Sequence, residues 1–265
     1  MEAHVICLAS KWATRGKAAC AHYRRCSEIQ KVHRFDAVTP ADFDAEEVAH
    51  PYALATIKGG RARAEQTQLS RIVQMACYMS HLRLWERCIG TKDGIVIAED
   101  DGYPRHLRRR ICDARTAPLD ADVVLIQCSK WPFTAKRCSE DLGGTLCKRV
   151  SWFWGTACYY LTPRGAAKLR KHALPITHHV DAYMATCIHG IDLKVYSVPG
   201  ANDQKHDDST LAHDGLWSVL LIRQWILLAV VCIAALIVIV GLSCGLAHSH
   251  RRFFRVTGLP AGAFR

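Results

Sequence analysis

Over 226–247 the chain carries no charged side chain, and Ile, Leu, Val and Ala dominate the run. A helix of about 20 such residues crosses the hydrocarbon core of a bilayer. A buried helix of a water-soluble fold usually keeps a polar face, whereas this run is apolar on every side. Trp217 and Trp225 stand where an interfacial belt would lie, and the basic stretch 248–252 stops the span. The run therefore predicts a domain over 1–212, a juxtamembrane segment over 213–225, one transmembrane helix over 226–247 and a short basic tail over 248–265.

Orientation rests on two opposing signals. The apolar run 4–8 has no basic lead-in and meets Ser10 and Lys11 at once, so no signal peptide is expected there. Against this, Arg251, Arg252, Arg255 and Arg265 follow the span while Asp207, Asp208 and Asp214 precede it, which favours a cytosolic tail. The missing leader weighs more, and the expectation is a cytosolic domain held by a C-terminal anchor.

The formal net charge of +11 suits an anionic ligand and equally a lipid surface, and falls short of a nucleic-acid-binding signature. The 13 cysteines are scattered, with no CxxC pair and no zinc-like Cys/His spacing. Cys7, Cys77, Cys128 and Cys158 sit in apolar runs, where a reduced thiol behaves as a small hydrophobe.

Along the chain, strands are expected at 5–8, 33–38, 94–98, 123–128 and 193–198, with a β-rich run at 152–161. Helices are expected at 13–29, 70–89 and 163–171, a polar loop or short helix at 39–51, and a basic, glycine-bearing mobile loop at 59–65. The clearest helix is 70–89, where Ile72, Met75, Met79, Leu82, Trp85 and Ile89 recur at three- and four-residue spacings. Strands alternating with helices predict an α/β fold with a mostly parallel sheet.

The strongest chemical signal is GIVIAEDDGYP over 94–104, an apolar strand that ends in Glu99, Asp100 and Asp101. Open α/β sheets bind ligands at the C-terminal ends of their strands. Carboxylates there are hard oxygen ligands, suited to Mn²⁺ or Mg²⁺ bridging a diphosphate. Ser80 and His81 lie on the 70–89 helix, where His81 serves either as a core residue or at the stripe margin facing a cleft. Asp181, in THHVDAYM, reads as a general base or as a helix cap. His178 and His179 are adjacent and diverge, which argues against a shared metal.

These stretches, in order, resemble glycosyltransferase family 25, the lipooligosaccharide and collagen galactosyltransferases. HVICLASKWATR resembles the family's opening strand and turn, RIVQMACYMSHLRLWERCI its Cys–Ser–His helix, and GIVIAEDD its acidic motif. ADVVLIQC, GTACYYLTPRGAAKL, PITHHVDAYM and LKVYSVPGANDQ resemble later segments, so that the similarity covers 4–210. The resemblance implies a GT-A fold, a nucleotide-sugar donor such as a UDP-hexose, a divalent metal (Mn²⁺, or Mg²⁺) and transfer of galactose or glucose with inversion to a glycan or protein hydroxyl. By carry-over Glu99, Asp100 and Asp101 form the metal and diphosphate edge. Ser80, His81, Arg15 and Gln204 lie near the donor, and Asp181 is the candidate base.

One departure stands out. Where the family's opening strand continues into Asn, Asp and Arg, this chain has Cys7, Ala9 and Ser10. Those positions raise the alternative of a catalytically degenerate member acting as a membrane-tethered binding or scaffold protein. A nucleotide hydrolase on another fold is disfavoured, because the chain has neither GxxxxGK[ST] nor GxGxxG.

Overall fold

Strand β1 (Glu2–Cys7) is buried at every residue from Ala3 to Cys7. Successive side chains of a strand face opposite ways, so both sides of the sheet are covered at this strand. The computed structural model describes residues 1–58, 72–130, 134–136 and 146–204, all within the unit Met1–Ser209. The expected loop at 59–65 and the expected membrane helix at 226–247 lie outside the described residues. Among the described residues no helix is long and apolar enough to cross a membrane.

After β1 a wide turn at Trp12–Gly16 leads into α1 (Lys17–Arg24) and β2 (Lys31–Asp36). The short helices α2 (Ala45–Val48) and α3 (Pro51–Lys58) precede the long α4 (Ile72–Ile89). Then come β3 (Ile95–Glu99), α5 (Leu107–Arg115), β4 (Val123–Gln127), β5 (Thr134–Lys136), β6 (Lys148–Trp152) and β7 (Cys158–Leu161). The helices α6 (Pro163–Lys171) and α7 (Val180–Gly190) lead to β8 (Val195–Ser197).

The eight strands form one sheet in the order β2-β1-β3-β7-β4-β8-β6-β5. The α/β class is as read from the sequence; the mostly parallel sheet is not. Among the described strands, the β1–β2, β1–β3 and β4–β8 pairings are parallel and the other four are antiparallel. The cause is β7, which enters between β3 and β4 and runs against both. The β-rich run expected at 152–161 is in fact two strands, β6 and β7, broken around Gly155, whose φ is +80°. Alternation of strands and helices does not report the direction of an inserted strand.

Helix α4 packs against β3, α6 and α7, and so buries far more than one stripe. Met75, Tyr78, Leu82, Leu84, Trp85 and Cys88 are buried together with Ser80 and His81. Ile89, expected at the end of the stripe, is 43% exposed. Helix α6 starts as its sequence suggests, with Pro163 in the first turn and the Thr162 hydroxyl accepting from the Gly165 N–H at 3.0 Å. Asp122, wholly buried, accepts from Arg164 at 2.8 Å, Lys168 at 2.6 Å and the Lys194 N–H at 2.9 Å, tying α6 to the start of β8. All described cysteines are free thiols.

Candidate active site

The apolar residues Ile95 to Ala98 fill the centre of the sheet and deliver Glu99, Asp100 and Asp101 to its C-terminal edge. The turn that follows is held tightly. The Glu99 N–H donates to the Ala157 carbonyl at 2.9 Å, the Gly102 N–H to the Glu99 carbonyl at 3.0 Å, and the Tyr23 hydroxyl to the Gly102 carbonyl at 3.0 Å. A side chain at Gly102 would collide with the Ala157 carbonyl, so only glycine lets the acidic turn lie this close to β7.

The three carboxylates have different surroundings. Asp100 is buried and forms an ion pair with Arg15, which the wide turn after β1 brings across. Glu99 is partly exposed and accepts from the Thr156 hydroxyl at 2.7 Å. Asp101 has one buried oxygen, Oδ1, with no hydrogen-bond partner. Burial, reinforced by the charge of Glu99 and opposed by Arg15, raises its pKa to about 7.

His81 reaches Glu99 from behind. Its ring is wholly buried against Tyr159, and its Nε2 lies 3.5 Å from Glu99 Oε1, beyond an ordinary hydrogen bond. Trp85 donates to the Tyr159 hydroxyl at 2.9 Å, and that hydroxyl lies 2.8 Å from His81 Nδ1. Indole can only donate, so the Tyr159 hydroxyl accepts from Trp85 and its own proton is free to go to His81 Nδ1. His81 therefore sits inside the core and not at a cleft margin, and touches the acidic edge through Glu99. Ser80 is also wholly buried. Its hydroxyl accepts from the Val38 N–H at 2.9 Å and donates to the Ala76 carbonyl at 3.0 Å, so it holds the exit of β2 against α4.

Asp181 stands in the first turn of α7. It accepts from the Gly155 N–H at 2.9 Å, from the Ala182 N–H at 3.1 Å and from His179. Burial alone would raise its pKa, but His179 and these N–H groups outweigh that and hold it below the usual carboxylate value. Gly155 is confined to glycine twice over: its φ is positive, and a Cβ there would lie 2.6 Å from Gln204 Oε1. Gln204 Oε1 is buried without a partner and so packs directly behind this turn.

Gly155 and Thr156 are consecutive, the first held by Asp181 and the second bonded to Glu99. One dipeptide thus joins the acidic edge to α7. Cys77, one turn before His81 on α4, faces the same place: burial and then the charges of Glu99, Asp181 and Asp101 push its thiol pKa well up. Ligand atoms of Cys77, His81 and Glu99 all lie within 4.8 Å of one another. For a hard cation the fitting donors are Glu99, which is partly exposed, and Asp101, whose orphaned oxygen lacks any other partner; Asp100 is engaged by Arg15.

Of the candidate residues, Glu99, Asp100 and Asp101 lie at the end of β3, Arg15 in the turn after β1, His81 in the middle of α4, Asp181 in the first turn of α7 and Gln204 behind the Gly155 turn. Ser80, by contrast, is bonded to Val38 and Ala76 and to none of these. The sequence assigns no individual role to Gly155, Thr156 or Tyr159, and Cys77 reads there as a small hydrophobe. Their signal was the Gly–Thr pair in GTACYYL, which reads as an ordinary strand entry until the turn is seen.

A protein-family model described as Glycosyltransferase family 25 (LPS biosynthesis protein) matches residues 2–184. No curated protein matches the chain.

Proposed function

The chain belongs to glycosyltransferase family 25, and from that premise we propose that it moves a hexose, galactose or glucose, from a UDP-type donor to a glycan or protein hydroxyl, with metal assistance and inversion. As a family member it is a glycosyltransferase, an enzyme that transfers a sugar from a nucleotide-sugar donor to a glycan acceptor and releases the nucleotide. The observation that supports the finer reading is the Gly155–Thr156 link, which ties Asp181 to Glu99, together with the unpartnered buried oxygen of Asp101 two residues further on from Glu99.

In this reading Glu99 and Asp101 would hold a divalent cation, Mn²⁺ or Mg²⁺, whose chemistry is to offset charge on the departing nucleoside diphosphate. Arg15 fixes Asp100 and shapes the edge. Thr156 fixes the Glu99 carboxylate, His81 packs behind it, and Ser80 holds α4 against the exit of β2. Gln204 supports the Gly155 turn. The acceptor hydroxyl gives its proton to the Asp181–His179 pair as its oxygen attacks the anomeric carbon from the face opposite the leaving group, which inverts the centre. Most of the rate would come from placing the two substrates and from stabilising the leaving group. The run at 226–247 would tether the domain to a membrane.

The test is a panel of nucleotide sugars offered to the purified chain with Mn²⁺, read as released nucleoside diphosphate and as anomeric configuration of the product. Release from UDP-galactose or UDP-glucose with inverted product supports the proposal. A natively folded chain that turns over no donor points to the scaffold alternative raised by Cys7, Ala9 and Ser10.

A further inference from the structure

A second group of metal-ligating side chains lies at the opposite end of the strands from Glu99. Glu2 and His4 alternate along β1 and so share one face of the sheet. On the neighbouring edge strand, His33 is the register partner of His4, and Lys31 that of Glu2. Glu2 is also in register with Ile95, the first residue of β3, whereas Glu99 is its last.

The side chains converge. One ligand atom each from Glu2, His4 and His33 lies within 4.8 Å of the other two. His33 Nε2 is 3.2 Å from Glu2 Oε2, and the two imidazoles stack with centroids 4.8 Å apart. His4 is only 3% exposed, and its Nδ1 has no hydrogen-bond partner. A buried polar nitrogen left unpartnered costs stability that an aliphatic residue would avoid.

We propose that Glu2, His4 and His33 form a site for a divalent transition ion of the Zn²⁺ type, which would staple edge strand β2 to β1. Two imidazoles and one carboxylate are a three-ligand set that leaves a fourth position for water. Imidazole also selects against Mg²⁺ and Ca²⁺. Glu2 and His33 are each about 40% exposed at the side chain, which gives an ion access. Two cations oppose it, Lys31 at 3.6 Å from Glu2 and Arg87 of α4 near His4; the Lys31 side chain is 69% exposed and can turn away.

Cobalt(II) is the probe, because its spectrum separates this site from thiol sites. Metal-free full-length chain titrated with Co²⁺ is expected to develop the weak visible bands of nitrogen and oxygen ligation without a sulfur charge-transfer band. Added Zn²⁺ should displace it and raise the melting temperature. His33→Ala and Glu2→Gln, both at half-exposed positions, should weaken binding at least about tenfold while melting like the wild type in EDTA. Cys77→Ser, at the Glu99 end of the strands, should leave the nitrogen and oxygen bands of this site in place. Equal binding by wild type and both variants, loss of the signal in Cys77→Ser, or no saturable binding by the wild type would each overturn the proposal.

Discussion

His81 illustrates how burial changes the meaning of a residue. On the helix pattern it stood at a stripe margin; in the fold it is wholly enclosed and linked to Tyr159 and, through it, to Trp85. His81→Ala should therefore lower both stability, by about 1–3 kcal/mol for the orphaned hydroxyl and lost packing, and turnover, through a displaced Glu99. Thr156→Val separates the two effects. It keeps shape and deletes only the bond to Glu99, so we expect a turnover loss of about tenfold or more with a melting temperature close to wild type. His4 gives a pH signature. Its folded pKa of about 4 lies below the unfolded 6.5, so the unfolded chain binds more protons between those values. Above pH 6.5 the ring is neutral in both states and adds no pH dependence, and stability falls as pH drops from 6.5 towards 4. Denaturant melts of metal-free His4→Phe against wild type across that window should show the slope in wild type and a shallower one in the variant.

At the level of elements, α4, β3, β4 and α6 were legible because their apolar spacing or caps are local properties. The mixed sheet was not, because nothing local tells β7 to run against β3 and β4. Helix α5 was missed for a different reason: LRRRICDAR looks like a solvated charge run, yet Arg110 is buried, donating to the Ile126 carbonyl at 2.9 Å and pairing with Asp203 at 2.6 Å. A buried arginine and a surface arginine are the same letter. Of the candidate site, the carboxylates were visible as a strand ending in acid, whereas the turn that joins them depends on a positive φ at Gly155. Gly155→Ala tests that turn. The strained φ and the approach to Gln204 should cost about 1–3 kcal/mol, and because the same turn carries the N–H bonded to Asp181, turnover per folded molecule should fall as well. A melting curve beside a donor-turnover assay reads both.

For the whole molecule, the sequence resemblance over 4–210 and the family match over 2–184 describe the same domain. The basic chain and the apolar run at 226–247 lead us to expect that the full chain sediments with membranes and that a version ending at Leu216 stays in the supernatant with its chemistry intact; fractionation checks this. The central claim is that the acidic edge of β3 handles the donor diphosphate, and Asp101 is the residue on which it turns. Its orphaned oxygen and its pKa of about 7 record a charge that folding alone does not reward. Asp101→Asn removes that charge and keeps the shape, so the variant should melt at or above the wild-type temperature. The direct measurement is nucleoside diphosphate release from UDP-hexose at saturating Mn²⁺ by wild type and Asp101→Asn. We expect the variant to lose at least about a hundredfold in rate with its fold intact, and a variant that turns over at the wild-type rate would contradict the account.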